Sequence, residues 1–362
     1  MKILFYINVL YGGGAERVLS NLANHFCQSG DNVVLCTTFA SEKDYPVSKN
    51  IKRIVFEDER YVCRNVFKRN VGRITKLRET IKNERPDIVV SFMGEPNFRS
   101  IIATRGLKTK IVVSVRNDPK REYPGAIGKF ISHCLMPLSD GCVFQTKEAQ
   151  QYFPKKLINK SKIILNDVKE EFFNVERKPE FGKIVSLGRL SPQKNQVLLL
   201  EAFEKLSKKY NDISLEIYGD GELKTDLEGK IKEYGLQNKA FLKGNTNDVT
   251  SVLSKADIFV LTSNFEGLPN ALMEAMAVGV PSISTDCPCG GPKTLIQNGA
   301  NGILIPVNDL DGLVNNIEKL LLDKELKISL GENAKKRSQD FTTDKVFEQW
   351  KEYLEEIVNS RN

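Results

Sequence analysis

Histidine and tryptophan are the scarcest residues of this sequence, and the scarcity of histidine limits the catalytic mechanisms that the sequence supports. The 362 residues include two histidines, His25 and His133, and one tryptophan, Trp350. His25 falls on the first predicted helix and His133 in a mostly apolar helical stretch, so both are more typical of structural than of catalytic residues. Trp350 falls on an amphipathic C-terminal helix and is predicted to pack between domains. Chemistry that depends on an imidazole is therefore not predicted.

The sequence also lacks a cysteine framework and a cluster of metal ligands. Its seven cysteines are scattered, and an odd number without regular spacing is typical of reduced thiols in the cytoplasm. Cys287 and Cys289 form a close pair, but no second Cys or His pair accompanies them. A zinc site needs four such ligands, so no metal site is predicted.

Two further absences concern membranes and nucleotides. No apolar run reaches the length of a membrane-spanning helix, and the opening stretch MKILFYINVL lacks the cleavage site of a signal peptide, so it is predicted to be a buried strand.

The common nucleotide-binding loops are absent, and the first of these is the Walker phosphate loop. Gly12-Gly13-Gly14 is not the Gly-x-Gly-x-x-Gly dinucleotide fingerprint, because Arg17 occupies the position of the last glycine. An enzyme that uses a nicotinamide cofactor is therefore disfavoured.

What the sequence does contain is a twice-repeated alternation of strand and helix patterns. At 362 residues, 41% apolar and 27% charged, it fits two globular domains. Buried strands separated by helices predict doubly wound α/β domains, the first with about six or seven strands. The predicted boundaries are an N-terminal domain at 1–170, a linker at 171–182, a second domain at 183–340, and a C-terminal helix at 341–362 that packs back towards the N-terminal domain.

The stretch from Glu266 to Pro281, EGLPNALMEAMAVGVP, is predicted to be a loop and a helix between two strands. The helix N-terminus then lies at the carboxyl end of a strand, where α/β sheets bind ligands and where backbone N–H groups suit a phosphate. Glu266 precedes the helix, and Glu274 shares a helix face with Asn270. Each carboxylate could accept hydrogen bonds from a vicinal diol. The alternative is that both glutamates are solvated surface charges.

Two cations follow the first strand of the second domain. Arg189 and Lys194 lie in the loop Gly188-Arg-Leu-Ser-Pro-Gln-Lys-Asn195, on the same sheet edge as Glu266. Arginine offers a planar fork and lysine a point charge, so together with a helix N-terminus they predict a diphosphate site. Either residue alone would be typical of an ordinary surface charge.

A basic amphipathic helix is predicted between Arg64 and Arg85. This stretch holds eight Lys and Arg residues and two glutamates, within a chain of net charge +7. Such a helix can bind an anionic membrane surface or a phosphate-rich acceptor. The candidates for that contact are Lys68, Arg69, Arg73 and Lys76. The alternative, an ordinary helix with a solvated basic face, fits the charge pattern equally well.

Taken together, these motifs resemble those of the retaining glycosyltransferases of family 4, and the resemblance covers nearly the whole chain. The quoted matches are two glutamates separated by seven residues (Glu266 and Glu274), the Gly188–Asn195 loop, Gly13-Gly14-Ala15-Glu16-Arg17, Gly219-Asp-Gly221, Asp286-Cys-Pro-Cys-Gly-Gly-Pro-Lys293 and Asn301-Gly302. One such motif would be weak evidence, whereas this many in this order is strong evidence.

The resemblance implies the GT-B fold, in which two Rossmann-like doubly wound domains face a central cleft, and it assigns roles to residues. Arg189 and Lys194 would hold the donor diphosphate and stabilise the leaving group, Glu274 would hold the ribose hydroxyls, and Glu266 would hold the transferred sugar. The residues implied to bind the nucleotide sugar are Gly13, Gly14, Gly188, Gly267, Leu268, Pro269, Asn270 and Glu274. The implied mechanism retains the anomeric configuration and uses no metal and no protein base, because a phosphate oxygen takes the proton.

The sequence departs from the family pattern at one position. Many relatives place a histidine near the donor sugar in the loop after the strand at 110–115, where this chain has Arg116 and Asn117. We expect Arg116 to take over a contact with the sugar or the acceptor.

Asp309-Leu-Asp311 is similar to the metal-binding motif of the other transferase fold. It opens a predicted helix, however, and is interpreted as a helix cap.

The expected function is transfer of a hexose or N-acetylhexosamine from a UDP-linked donor to a lipid-linked glycan in bacterial surface polysaccharide synthesis. The resemblance places the protein in the cytoplasm, at the inner face of the cell membrane, with no cofactor beyond the donor itself. The alternatives are a nucleotide-sugar-binding subunit without activity, a nucleotide-sugar epimerase, or a phosphorylase. A nucleic-acid binder is allowed by the charge, but no aromatic and basic motif supports it.

Overall fold

The computed structural model describes residues 1–57 and 65–360, and it divides the chain into two α/β units. The first unit comprises Met1–Asp167 together with the residues from Asp344 onward, and the second unit comprises Val168–Thr343. Each unit has one parallel sheet, and helices connect all successive strands except β2 and β3. The predicted fold of two doubly wound α/β domains is therefore confirmed.

The sheet of the first unit has seven parallel strands in the order β3-β2-β1-β4-β5-β6-β7. Their bounds are β1 Lys2–Ile7, β2 Asn32–Thr37, β3 Lys52–Val55, β4 Ile88–Phe92, β5 Lys110–Ser114, β6 Gly141–Phe144 and β7 Ser161–Ile163. The central strands are buried along almost their whole length, as expected when helices cover both faces of a parallel sheet.

In the described residues, seven helices connect the strands of this sheet, and both histidines and the tryptophan make packing contacts within the first unit. Their bounds are α1 Gly14–Gln28, α2 Val66–Glu84, α3 Gly94–Thr104, α4 Pro119–Glu122, α5 Gly125–Phe130, α6 Lys147–Gln151 and α7 Lys155–Ile158. The His25 ring lies 4.4 Å from that of Phe347, and Ser132 Oγ is 2.8 Å from His133 Nδ1. Trp350 stacks on Phe92 within the first unit, so the expectation that it packs between domains is corrected.

The sheet of the second unit has six parallel strands in the order β10-β9-β8-β11-β12-β13. They span β8 Lys183–Leu187, β9 Ser214–Tyr218, β10 Ala240–Gly244, β11 Ile258–Leu261, β12 Ser282–Thr285 and β13 Ile303–Ile305. The helices after α7 are α8 Glu170–Phe173, α9 Gln196–Ser207, α10 Lys224–Glu233, α11 Val249–Lys255, α12 Asn270–Val278, α13 Gly291–Leu295, α14 Leu310–Leu322, α15 Lys324–Ser338 and α16 Thr343–Asn359.

Strand order decides where each unit can bind a ligand. In each sheet the chain reverses its winding direction beside the first strand, between β1 and β4 and between β8 and β11. Loops at the carboxyl ends of such neighbouring strands diverge and leave a crevice. The loop after β8 carries Arg189 and Lys194, and the loop after β11 carries Glu266, so the topology brings these predicted site residues together. Among the residues with a described position, no helix is both long and apolar enough to cross a bilayer.

Candidate active site

The loop after β8 is shaped by glycines that allow the backbone to pack closely. A Cβ on Gly188 would lie 3.2 Å from Lys194 Cε, so this glycine leaves room for the lysine side chain to pass. A Cβ on Gly219 would lie 2.1 Å from the carbonyl oxygen of Gly188, and one on Gly221 would lie 2.3 Å from that of Leu190. The Gly219-Asp-Gly221 motif therefore supports the loop that carries Arg189 and Lys194.

Arg189 and Lys194 occupy different environments in this loop. Arg189 is exposed, and its backbone is held by Gln196, whose side-chain amide donates to the Arg189 carbonyl at 2.9 Å. The Lys194 side chain is 19% exposed and donates a hydrogen bond to Glu266 Oε1. The helix behind the loop begins at Gln196, because Asn195 adopts a left-handed conformation.

Glu266 is the centre of a hydrogen-bonded cluster. The residue is 5% exposed, and besides the Lys194 ammonium it accepts from Ser263 Oγ at 2.6 Å and from Gln193 Nε2 at 3.4 Å. Burying a carboxylate is costly unless it is paired and hydrogen-bonded, and here it is both. The alternative of a solvated surface charge is therefore wrong for Glu266. Sequence reasoning missed Ser263 and Gln193, although each lies within three residues of a predicted site residue.

Glu274 lies inside α12 and is also 5% exposed, so the surface alternative fails for it as well. Pro269 is the N-cap of this helix, and Gly267, Leu268 and Pro269 are buried, whereas Asn270 is half-buried. Leu272 and Met276 are fully buried and form the apolar side of the helix. The start of α12 therefore lies in the same loop as the Glu266 cluster, with Glu274 one turn further along the helix.

A second loop, after β12, fixes the backbone around Glu266. The Glu266 N–H donates to the Pro288 carbonyl at 2.7 Å, and the Cys289 N–H donates back to the Glu266 carbonyl at 3.0 Å. Burial, followed by the nearby Glu266 carboxylate, raises the pKa of the Cys287 thiol to about 12. This thiol is therefore protonated at neutral pH, which fits a structural role rather than a nucleophile or metal ligand.

A substitution at Gly291 tests how much this loop packing contributes to stability and activity. A Cβ at Gly291 would lie 1.8 Å from the Gly267 carbonyl oxygen, so Gly291→Ala must displace the backbone between Glu266 and α12. We expect a loss of stability of about 1–3 kcal/mol or more, typical of overpacking, together with a loss of transfer activity. Gly229→Ala is the control because no atom lies within 4 Å of its added Cβ, and it should stabilise α10 by about 0.5–1 kcal/mol. Equal melting temperatures for the two variants would contradict this account.

The predicted residues of the first unit lie at the carboxyl edge of its sheet. Gly13 is the N-cap of α1, directly after β1, and Gly14 is the first residue of that helix. Arg116 and Asn117 follow β5. Arg116 is 7% exposed, donates from Nη1 to Asn166 Oδ1 at 2.9 Å, and lies 3.9 Å from the centre of the Phe92 ring. Asn117 is half-buried and accepts from the Asp118 N–H at 2.8 Å.

The basic helix α2 buries one of its four predicted contact residues. Arg73 is 4% exposed and makes two hydrogen bonds to Glu57, at 2.8 and 2.9 Å, so its charge is neutralised inside the unit and it is removed from the predicted membrane contacts. Lys76 donates to the Phe56 carbonyl at 2.6 Å. Lys68 is exposed and Arg69 half-buried, as a surface contact requires. Arg64, the first residue of the predicted helix, lies outside the described residues.

Comparison with known families agrees with this geometry. The family described as glycosyl transferases group 1 matches residues 167–337, and glycosyltransferase family 4 matches residues 12–165. A Campylobacter jejuni protein is 30% identical over 99% of this chain and 100% of its own length. It is named GalNAc-alpha-(1->4)-GalNAc-alpha-(1->3)-diNAcBac-PP-undecaprenol alpha-1,4-N-acetyl-D-galactosaminyltransferase.

Two further comparisons cover most of the chain. An Escherichia coli UDP-Gal:alpha-D-GlcNAc-diphosphoundecaprenol alpha-1,3-galactosyltransferase is 32% identical over 82% of this chain and 83% of its own. The crystal structure of Anabaena HepE, solved with UDP and glucose, superposes with a TM-score of 0.82 at 19% identity, covering 98% of this chain and 99% of that one, and it shows the shared GT-B fold. The chain therefore belongs to the family 4 glycosyltransferases and is a hexosyltransferase of the GT-B fold.

Proposed function

We propose that the protein transfers a hexose or N-acetylhexosamine from a UDP-linked donor to a polyprenyl-diphosphate-linked glycan during bacterial surface glycan synthesis. The observation that carries the proposal is the ion pair between Lys194 and the buried Glu266, which lies in the loop before α12. Cationic groups in that place suit the donor diphosphate, and buried carboxylates suit sugar and ribose hydroxyls. The names of the Campylobacter and Escherichia coli relatives support a lipid-linked acceptor.

In the proposed mechanism, the protein stabilises the transition state electrostatically. Arg189 and Lys194 neutralise the negative charge that develops on the diphosphate as the glycosyl bond breaks. Glu266 holds Lys194 in place and accepts hydrogen bonds from the transferred sugar, while Glu274 binds the ribose. The acceptor hydroxyl attacks from the face that the diphosphate leaves, and a phosphate oxygen takes its proton, so the configuration is retained. No protein base is required, which is consistent with the structural contacts of His25 and His133.

A donor screen followed by a transfer assay tests the proposal. Wild-type protein is first heated with UDP and with a panel of UDP-hexoses and UDP-N-acetylhexosamines, and a raised melting temperature identifies the donor. UDP release is then measured with an undecaprenyl-diphosphate-linked oligosaccharide, with and without EDTA. We expect acceptor-dependent UDP release that EDTA does not lower, and an α-linked product from an α-linked donor. Donor binding without transfer to any such acceptor would favour a nucleotide-sugar-binding subunit instead.

The second part of the proposal is that the protein binds the cytoplasmic face of the membrane through the first half of α2. There Phe67 is 78% exposed and Val66 and Val71 are 58% and 47% exposed, next to the exposed Lys68. Exposed apolar side chains beside cations are typical of helices that insert at an anionic lipid surface. The acceptor of the proposed reaction is anchored in that surface.

Vesicle sedimentation tests this membrane contact. We expect the wild type to bind vesicles that contain phosphatidylglycerol, to bind neutral phosphatidylcholine vesicles less, and to dissociate as salt is raised. Phe67→Ser and Lys68→Glu should each lower binding, because they remove an apolar and a cationic contact. Lys232→Glu, on the exposed face of α10 in the second unit, serves as the charge-matched control. Binding that ignores lipid charge and salt would reject this part of the proposal.

A further inference from the structure

The buried guanidinium of Arg99 joins three segments at the carboxyl edge of the first sheet. Arg99 lies on α3 and is 0% exposed, so each of its nitrogens needs an acceptor. Its Nε donates to Asn70 Oδ1 on α2 at 2.8 Å, and its Nη1 donates to Asn8 Oδ1, directly after β1, at 2.8 Å. Its Nη2 donates to Glu95 Oε2, in the first turn of α3, at 2.5 Å. All three nitrogens are therefore paired, as a buried charge requires.

The Glu95 carboxylate is fixed through one oxygen only. Besides Arg99, the side-chain amide of Asn8 donates to the same Oε2 atom, at 3.3 Å. The other oxygen, Oε1, accepts no hydrogen bond from any residue whose position the structure describes, and the side chain is 55% exposed. The lone pairs of Oε1 are therefore available, while the ion pair with a buried cation restricts the rotamers of the side chain. Glu95 is a pre-oriented and accessible hydrogen-bond acceptor.

The ion pair of Arg73 and Glu57 in the same unit has a different arrangement. There both carboxylate oxygens accept from the guanidinium, at 2.8 and 2.9 Å, and the Glu57 side chain is 17% exposed. Glu57 thus neutralises a buried cation and has little accessible surface for a ligand. Glu95 neutralises Arg99 through one oxygen and leaves the other unused. The two pairs therefore differ in the acceptor capacity that they leave for a ligand.

The turn that places Glu95 is strained and firmly held. Met93, between β4 and α3, has φ 77° and ψ 157°, a region that is populated almost only by glycine and costs about 1–3 kcal/mol. Its N–H donates to the Ser114 carbonyl at 3.1 Å, and the buried Asn97 side chain donates to the same carbonyl at 2.9 Å. Such strain persists only where the surrounding structure fixes it, and it is concentrated at functional sites. The turn therefore holds Glu95 in a defined place after β4.

The position and charge of Glu95 indicate which substrate it can contact. Asn8 and Glu95 follow β1 and β4, the neighbouring strands between which the winding direction reverses, so they border the crevice of the first unit. A carboxylate repels the donor diphosphate, but it accepts hydrogen bonds from the hydroxyl and amide N–H groups of a sugar. Asn70 lies in the half of α2 that is proposed to contact the membrane, next to Val71, which is 47% exposed. Glu95 is therefore suitably placed for the glycan of a lipid-linked acceptor.

We propose that Glu95 is a specificity-determining residue for the acceptor, and that its Oε1 accepts a hydrogen bond from a hydroxyl or acetamido N–H of the acceptor sugar. This inference rests on the proposed transfer function. Arg99 is a positioning residue, because it holds the carboxylate without touching the glycan. An acceptor that lacks the donating group loses this hydrogen bond, so the enzyme discriminates against it.

Glu95→Gln tests this contact while it preserves the pairing of Arg99. The amide oxygen of the glutamine can still accept from Arg99 Nη2, so the amide nitrogen replaces Oε1 and turns an acceptor into a donor. Transfer to the undecaprenyl-diphosphate-linked oligosaccharide is measured at saturating UDP-sugar. We expect kcat/KM for the acceptor to fall by about 10- to 150-fold, the range for one hydrogen bond to a charged group. The melting temperature and the affinity for the UDP-sugar should stay unchanged.

Glu356→Gln is the matched control. Glu356 lies on α16 in the same unit, its side chain is 65% exposed, and it pairs with Lys162 at 3.5 Å. Both substitutions therefore remove one negative charge from an exposed glutamate that is paired with a cation. The kinetic constants of Glu356→Gln should equal those of the wild type.

Acceptor analogues in which single hydroxyl or acetamido groups are replaced by hydrogen identify the group that Glu95 binds. The analogue that lacks this group should be a poorer substrate for the wild type, whereas Glu95→Gln should use it about as well as the intact acceptor. Wild-type acceptor constants in Glu95→Gln would overturn the proposal, as would an equal loss in Glu356→Gln or a lower melting temperature without a kinetic change. Failure of the proposed function differs, because then the wild type itself transfers no sugar.

Discussion

Replacing Arg189 by alanine is expected to lower the kcat of sugar transfer by about 100- to 1000-fold, the usual cost of removing one donor to a developing anion. The reason is that the charge on the diphosphate is largest when the glycosyl bond breaks, so the guanidinium binds the transition state more strongly than the ground state. Arg189 is exposed, so its truncation should change the melting temperature little. Steady-state UDP release at saturating donor and acceptor gives the kcat.

Lys232→Ala is the control for this prediction, because Lys232 is an exposed cation on α10 in the same unit. It removes the same net charge and should leave kcat unchanged. A rise in KM alone for Arg189→Ala would mean that Arg189 binds ground state and transition state equally. That result would contradict its assignment to the leaving group. Lys194 is less suitable for this test, because its removal would leave Glu266 buried without its cation.

Truncation of Glu274 is expected to weaken UDP binding by about 2–3 kcal/mol, roughly 30- to 150-fold in Kd, because the carboxylate is proposed to accept the ribose hydroxyls. Glu274 is 5% exposed in α12, so Glu274→Gln accompanies Glu274→Ala as the variant that keeps the side-chain volume. Titration calorimetry with UDP measures both affinities.

A thermodynamic cycle with 2′-deoxy-UDP makes this test specific to the ribose. The wild type should bind 2′-deoxy-UDP more weakly than UDP, and the Glu274 variants should bind the two nucleotides with nearly equal affinity. A variant that still prefers UDP as strongly as the wild type does would reject the ribose assignment. A parallel loss for both nucleotides would indicate that Glu274 supports the fold of α12 instead.

Most of the fold was predictable because buried parallel strands have a strong sequence signal. Apolar stretches mark nearly all the strands that the structure describes, and glycines and prolines mark the loops between them. The exception is β3, whose residues KRIV are short, charged and at most half-buried, so they lack that signal. The start of α9 could not be placed from the sequence, because the left-handed conformation of Asn195 depends on loop packing, which no local pattern encodes.

The candidate site was predictable as a set of motifs but not as a set of contacts. Lys194 and Glu266 are 72 residues apart, and only the pairing of β8 with β11 brings them together. The same limit explains why the burial of Arg73 was not predicted. It continues the basic pattern of α2, but its partner Glu57 precedes the helix by nine residues, and tertiary packing turns the guanidinium inward.

The central claim is that two cations and the start of α12 hold the diphosphate of the donor. The most direct measurement is a crystal structure of the protein with its UDP-sugar donor. We predict diphosphate oxygens within hydrogen-bond distance of Arg189 and Lys194, with the ribose hydroxyls on Glu274. A diphosphate bound away from both cations, or a ribose far from Glu274, would contradict the account.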